Sequence, residues 1–209
     1  MKNGKTVNLF LNIGIIITVL LYASRAMATP SVQDIEILSI QANGTGCPVD
    51  STTELVVDTK GDGTADFFQV TFSEFFVEKP GIPVKNCIVE VLLQIPQGWR
   101  FSVVNVSYEG YASLSNWVTG NLSTKYEFPF FSNEVTTNTS LERGFEGPYE
   151  KEDTLGLFTG VYSPCGILAP LNMNSRLVLV GPNFGYSYMG IERQSGLLTQ
   201  IWALQWKKC

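Results

Sequence analysis

The sequence contains no histidine. A serine or cysteine nucleophile worked by an imidazole base is therefore excluded, and the commonest ligand of catalytic zinc is missing. The stretch "GYSYM" (185–189) comes near the G-x-S-x-G nucleophile turn, but Met189 stands where the last glycine belongs. Cysteine is scarce. Cys47, Cys87, Cys165 and Cys209 stand far apart, and no pair has the C-x₂₋₄-C spacing of a zinc site. Positive charge is also sparse: 14 Lys and Arg face 19 Asp and Glu, with no basic run. Phosphate binding needs clustered cations, which argues against nucleic acid as a partner. No window of helical length carries a sustained 3.6-residue apolar period with capping signals.

The one long apolar run lies at the start, in "MKNGKTVNLFLNIGIIITVLLYASRAMATP". Lys2 and Lys5 precede it, Leu9 to Leu21 is nearly all apolar, and Ala26-Met27-Ala28 offers small residues at the positions a signal peptidase reads. The run falls short of the ~20 residues that span a bilayer. Residues 1–28 are expected to be a secretory signal peptide, leaving 29–209 as a single secreted domain. No cysteine follows the cleavage motif and the C-terminus is polar, so no lipid anchor or membrane insertion is expected after signal removal. The removed segment would take Lys2, Lys5 and Arg25 with it, and no acid, making the domain more acidic.

The remainder reads as short β-type runs divided by Gly, Pro, Asn and Ser. Strands are expected at 35–41, 54–59, 66–77, 88–95, 101–109, 124–131, 176–181 and 198–206. β-Branched and aromatic residues dominate these runs. The polar segment "TNTSLERGFEGPYEKEDT" (137–154) reads as a long surface loop. The fold class expected is all-β: a single antiparallel β-sandwich, jelly-roll-like, closed by two disulfides.

Several stretches occur in a fixed order: "NGTGCP" (43–48), "KNC" (85–87), "IPQGWRFSVVNVSYEGYASL" (95–114), "SPCG" (163–166) and the terminal "LQWKKC" (204–209). Together they resemble the secreted four-cysteine proteins of fungi and bacteria catalogued as domain of unknown function 4360. The resemblance implies secretion, a four-cysteine framework and a β fold, and brings no activity with it. It weakens between Leu179 and Leu198, where the family tends to carry a serine- and aspartate-rich turn and this chain has "GPNFGYSYMGIERQSG". Four cysteines allow three pairings. Pairing nearest in sequence, Cys47–Cys87 and Cys165–Cys209, closes loops of moderate size; crossed pairings stay open.

The sharpest local motif is "DTKGDGTAD" (58–66). Asp58, Asp62 and Asp66 recur at steps of four, with Gly63 after the middle one. Such spacing has two readings, a calcium loop and a tight Asp-Gly hairpin turn. Lys60 and Gln69 occupy positions where the helix–loop–helix calcium pattern needs ligands, so the turn is the simpler reading. Apart from calcium there, no cofactor is implied. Glu74, Glu78, Glu90, Glu109 and Glu127 could supply the two carboxylates of a glycosidase, but nothing in their spacing selects a pair. The cluster Glu146, Glu150, Glu152 and Asp153 reads as a solvated charge run.

Aromatic residues suggest another chemistry. Trp and Tyr rings combine apolar area with a polar tip and suit sugar rings. Trp99 and Phe101 are expected in the core, whereas Tyr108, Tyr111 and Trp117 flank Gly110 and Asn116 in turn-like sequence and are the candidate ligand-binding residues. Asn43, Asn105, Asn121 and Asn138 begin glycosylation triplets, which mark surface in a eukaryotic secreted protein. The function expected is a non-enzymatic binding or structural module, extracellular, periplasmic or at the cell surface, with a cell-wall or extracellular glycan as partner. The alternatives are a carboxylate-based polysaccharide hydrolase and a structural coat protein without a small ligand.

Overall fold

A computed structural model of the chain describes residues 36–57, 67–129, 134–154, 162–190 and 198–209. The expected signal peptide lies outside the described residues. Among them the chain forms twelve strands and no helix. The strands are β1 (Glu36–Asn43), β2 (Thr52–Val57), β3 (Phe67–Phe72), β4 (Val77–Lys79), β5 (Val84–Gln94) and β6 (Trp99–Ser113). They continue with β7 (Thr119–Glu127), β8 (Glu134–Leu141), β9 (Glu146–Thr154), β10 (Ala169–Val180), β11 (Ser187–Gly190) and β12 (Leu198–Lys208).

These strands make an antiparallel β-sandwich. One sheet has the order β1-β5-β10-β7-β8. The other runs β2-β3-β12-β6, with β9, β11 and β4 completing it. β9 pairs with β6 over Asn105–Ser113, overlapping the stretches that β12 and β11 pair with. A strand has two edges, so β12 and β11 share one edge of β6 and β9 takes the other. β6 is thus the longest strand and the spine of its sheet.

The inner faces interlock by size. Across the five-stranded sheet, Thr137, Thr124, Ser175 and Cys87 fall in one register row, all buried. Small side chains leave a trough there, and Tyr108 of β6 is fully buried opposite it. Its hydroxyl bonds Thr137 Oγ1 at 2.8 Å and Tyr126 Oη at 3.1 Å. Thr124 Oγ1 and Ser175 Oγ are 2.9 Å apart, and Thr137 Oγ1 donates to the Thr124 carbonyl at 3.4 Å. The sheets are therefore tied by hydroxyls as well as apolar contact. Toward the start of β6, Phe101 packs tilted against Trp206 and edge to face against Phe128, with ring centroids 5.6 and 5.4 Å apart. Phe101 is fully buried, and Trp99 is half-buried against the same core.

Two sequence expectations need correction. The run 66–77 is not one strand: it breaks between β3 and β4. Phe72 and Phe75 are both fully buried, with rings edge to face at 5.7 Å. In an unbroken strand, residues three apart point to opposite faces, so only the break lets both enter the core. The segment 137–154 is not a loop but most of β8 and β9. β8 alternates, sending Thr137, Thr139 and Leu141 inward. β9 lies at the rim of its sheet, where charged side chains such as Glu146 and Glu150 guard against pairing with another chain.

Cys47 is bonded to Cys87 (Cα–Cα 5.3 Å) and Cys165 to Cys209 (Cα–Cα 6.1 Å), the sequence-neighbour pairing. The Cys209 N–H donates to the Gly98 carbonyl at 2.8 Å, so the last residue is fastened to the turn before β6. β12 lies between β3 and β6, so loosening it would open the sheet at its middle. The second disulfide joins residues 44 apart, for which chain entropy gives about 4 kcal/mol. The double variant Cys165→Ser/Cys209→Ser should melt roughly 8–16 °C lower under oxidising conditions; an unchanged melting curve would contradict the clasp. Tyr108→Phe leaves buried hydroxyl partners unmatched and should cost about 1–3 kcal/mol, measured by denaturant unfolding.

Candidate functional site

The three aromatic residues singled out above are parted by the fold. Tyr108 is only 1% exposed and belongs to the core, which corrects its reading as a surface residue. The expected turn at Gly110 does not exist, because β6 runs straight through to Ser113. Alternation then sends Tyr108 inward and Tyr111 outward. Gly110 serves packing: a Cβ there would lie 2.7 Å from the Tyr149 ring and hydroxyl. Tyr111 is half-buried on the outer face, across from Pro148 of β9 and Gly190 of β11. Trp117 alone is well exposed, at 61%, in the turn between β6 and β7.

Trp117 has aromatic company from another loop. The β10–β11 connection, residues 181–186, exposes Phe184 at 72% and Tyr186 at 47%. The two loops touch. Gly181 (φ 143°) packs so closely that a Cβ would sit 2.3 Å from the Trp117 carbonyl oxygen, so only glycine fits. The Ser115 N–H donates to Ser187 Oγ at 3.0 Å. The loop is also held from β4. The Tyr186 hydroxyl donates to Glu78 Oε2 at 3.0 Å, and the buried Lys79 donates to the Gly181 carbonyl. Ile82, also exposed, sits in the adjoining β4–β5 turn, where its carbonyl accepts the Glu78 N–H at 3.1 Å. One end of the sandwich thus presents Trp117, Phe184, Tyr186 and Ile82 from three connections, with Glu78 and the exposed Asn116 as polar groups. Hydrogen bonds that fix these loops lower the ordering cost of binding.

Phe184 and Tyr186 were missed in the sequence, although "GPNFGYSY" carried the signal: aromatics interleaved with Gly, Pro and Asn. This is also where the family resemblance weakens. Asp58, Asp62 and Asp66 lie outside the described residues, and among those described no group of three or more acids or cysteines gathers as a metal site. Asn43, Asn121 and Asn138 lie on β1, β7 and β8 of the five-stranded sheet; Asn138 is exposed, and Asn121 Oδ1 accepts the Ser140 hydroxyl at 2.8 Å. The Asn105 side chain lies outside the described residues.

The candidate acids are scattered. Glu90 and Glu127 share a register row on the five-stranded sheet with Asn172 between them. Lys125 bonds Glu127 at 2.9 Å and Glu134 at 2.6 Å; these bonds, Glu134 first, hold its ammonium above the usual lysine value. Glu109 projects from β6 in the other sheet, Glu78 lies within β4 and Glu74 precedes it. A cleft of about 440 Å³ opens between β8 and β9, lined in part by Glu142, Phe145, Tyr149 and Glu150. The Tyr149 hydroxyl is buried without a partner, and burial pushes its phenol up from the ordinary value.

Tyr149→Phe should leave stability at neutral pH unchanged or raised, because it deletes an unsatisfied hydroxyl. The wild type should lose stability as pH rises above about 10, where the unfolded chain releases a proton that folded Tyr149 retains. Unfolding curves from pH 8 to 11.5 should show a smaller alkaline loss for the variant.

The family model described as domain of unknown function (DUF4360) matches residues 33–209. An uncharacterized secreted protein of Arthroderma benhamiae is 27% identical over 188 residues, covering 86% of this chain and 74% of that protein. Among solved structures, TmCBM61 in complex with β-1,4-galactotriose is 10% identical with a TM-score of 0.32, over 86% of this chain and 95% of its own. The family 11 carbohydrate-binding module of Clostridium thermocellum is 8% identical with a TM-score of 0.23, over 80% of this chain and 90% of its own.

Proposed function

The chain belongs to the DUF4360 family and is a secreted protein; from that premise we propose that it binds extracellular glycan through its aromatic end. The observation that carries the reading is the exposure of Trp117, Phe184 and Tyr186 on two loops in contact. Exposed apolar groups gathered at one place cost solubility and mark an interaction surface. Rings can cover the C–H faces of a pyranose, while Glu78 and Asn116 offer hydrogen bonds to its hydroxyls. The Tyr186–Glu78 bond supports a platform formed before the ligand arrives.

The protein is read as a binder rather than a catalyst. The sequence has no histidine, and all four cysteines are in disulfides. The reading includes one domain, residues 29–209, released by cleavage after Ala28, and a partner in a cell wall or extracellular matrix. Mass spectrometry of the secreted protein checks that N-terminus.

The test is co-sedimentation of the mature protein with insoluble polysaccharides, cellulose, chitin, β-1,3-glucan and galactan among them. Trp117→Ala and Phe184→Ala should each weaken retention at least tenfold, about 1.4 kcal/mol, with melting unchanged. Retention by none of the polysaccharides, or equal retention of the variants, would refute the aromatic end as the site. Release of reducing sugar would replace binding by hydrolysis.

A further inference from the structure

A second surface lies at the other end of β6, and it does not depend on the aromatic end. β6 spans Trp99 to Ser113, about 45 Å at strand rise, so its two ends are well separated. At the start, Arg100 is the direct register partner of Lys207, and Trp99 that of Lys208. Like charges directly opposite each other in a sheet destabilise it. Arg100 and Lys207 are such a pair, in a chain whose acids outnumber its bases. Among the described residues neither they nor Lys208 is in an ion pair.

The cations stand over aromatic rings instead. The Arg100 guanidinium is 4.8 Å from the Tyr162 ring centre and the Lys207 ammonium 5.9 Å. The Lys208 ammonium is 5.5 Å from the Trp99 ring centre. Arg100 Nε is buried without a hydrogen-bond partner. The frame beneath is closed by the Cys165–Cys209 disulfide, by the Gly166 N–H to the Trp99 carbonyl at 3.2 Å and by the Cys209 N–H to the Gly98 carbonyl. Arg100 and Lys207 are thus held together on one face, at a cost to the sheet, while alternation puts Lys208 with Trp99 on the other face of the same cross-linked strand end. No basic run in the sequence announces this, because the cluster joins the first residues of β6 to the last of β12.

We propose that this corner binds the carboxylate groups of an acidic, uronate-bearing polysaccharide. A guanidinium donates two parallel hydrogen bonds to a carboxylate. A bound anion would relieve the Arg100–Lys207 repulsion, so the cost carried by the free sheet is returned on binding. The two cations and the Tyr162 ring on one face match a sugar acid, which has a charged group and an apolar ring face. Nucleic acid fits less well, since two fixed cations on one face give a short electrostatic footprint.

The test uses the full mature protein and polygalacturonate as probe, in affinity electrophoresis and calorimetry at low salt. Lys207 and Lys208 are exposed, and the variant Lys207→Gln/Lys208→Gln should fold. Binding should fall at least tenfold, while the melting temperature stays level or rises because repulsion is removed. Added salt should weaken wild-type binding as it screens the charges. Trp117→Ala should leave polygalacturonate binding intact, which separates this corner from the aromatic end. Undiminished binding by the double variant would overturn the proposal. Dextran sulfate bound as tightly as polygalacturonate would reduce the corner to general ion exchange and overturn it too. A wild-type dimer abolished by the double variant, with no polysaccharide binding, would assign the corner to a second copy of the chain.

Discussion

The structure depends on the position of its last strand. β12 fills the gap between β3 and β6, so the larger sheet has no continuous centre until residues 198–208 are in place. A central strand that loosened would part the sheet on both sides. Here the Cys165–Cys209 bond and the Cys209–Gly98 hydrogen bond hold it. The register this imposes brings Lys207 and Lys208 opposite Arg100 and Trp99, and packs Trp206 against Phe101. It also anchors β6, whose far end carries the turn with Trp117. Both ends are positioned by one central pairing.

The second constraint is between the sheets. A row of Thr and Ser side chains makes room for Tyr108, and the hydroxyls satisfy one another across the interior. Apolar packing tolerates sliding better than a network of directional bonds does. The Tyr108–Thr137 contact therefore fixes how one sheet sits on the other, and through β6 and β7 it fixes the loop that presents Trp117. With the scaffold pinned at both levels, the exposed loops can carry apolar side chains without losing their geometry.

The alternating runs were legible in the sequence, because half-buried strands write their faces into it at period two. So were the cysteine pairs, since neighbours in sequence close the shorter loops. Edge strands were harder: β8 and β9 are rich in Thr and Glu, a composition that also describes a loop. Gly110 looked like a turn because the reason for a glycine, the Tyr149 ring lying across it, sits on another strand. Thr137 gave no sign of its role, which exists only once Tyr108 faces it. Of the expected ligand-binding residues, Trp117 is exposed and Tyr108 is not. Phe184 and Tyr186 join Trp117 only because β10 returns its loop beside the β6–β7 turn, a contact set by sheet order. The cationic corner was hidden for the same reason.

The central claim is that a rigid sandwich presents its glycan-binding groups at the loop end that carries Trp117. Chemical-shift mapping of the labelled protein, titrated with a soluble oligosaccharide from any retained polysaccharide, tests it most directly. The account predicts shifts concentrated in residues 114–118 and 181–186, with the Tyr108–Thr137 interior unmoved. Shifts centred on the outer faces of the sheets, with those two loops silent, would contradict it.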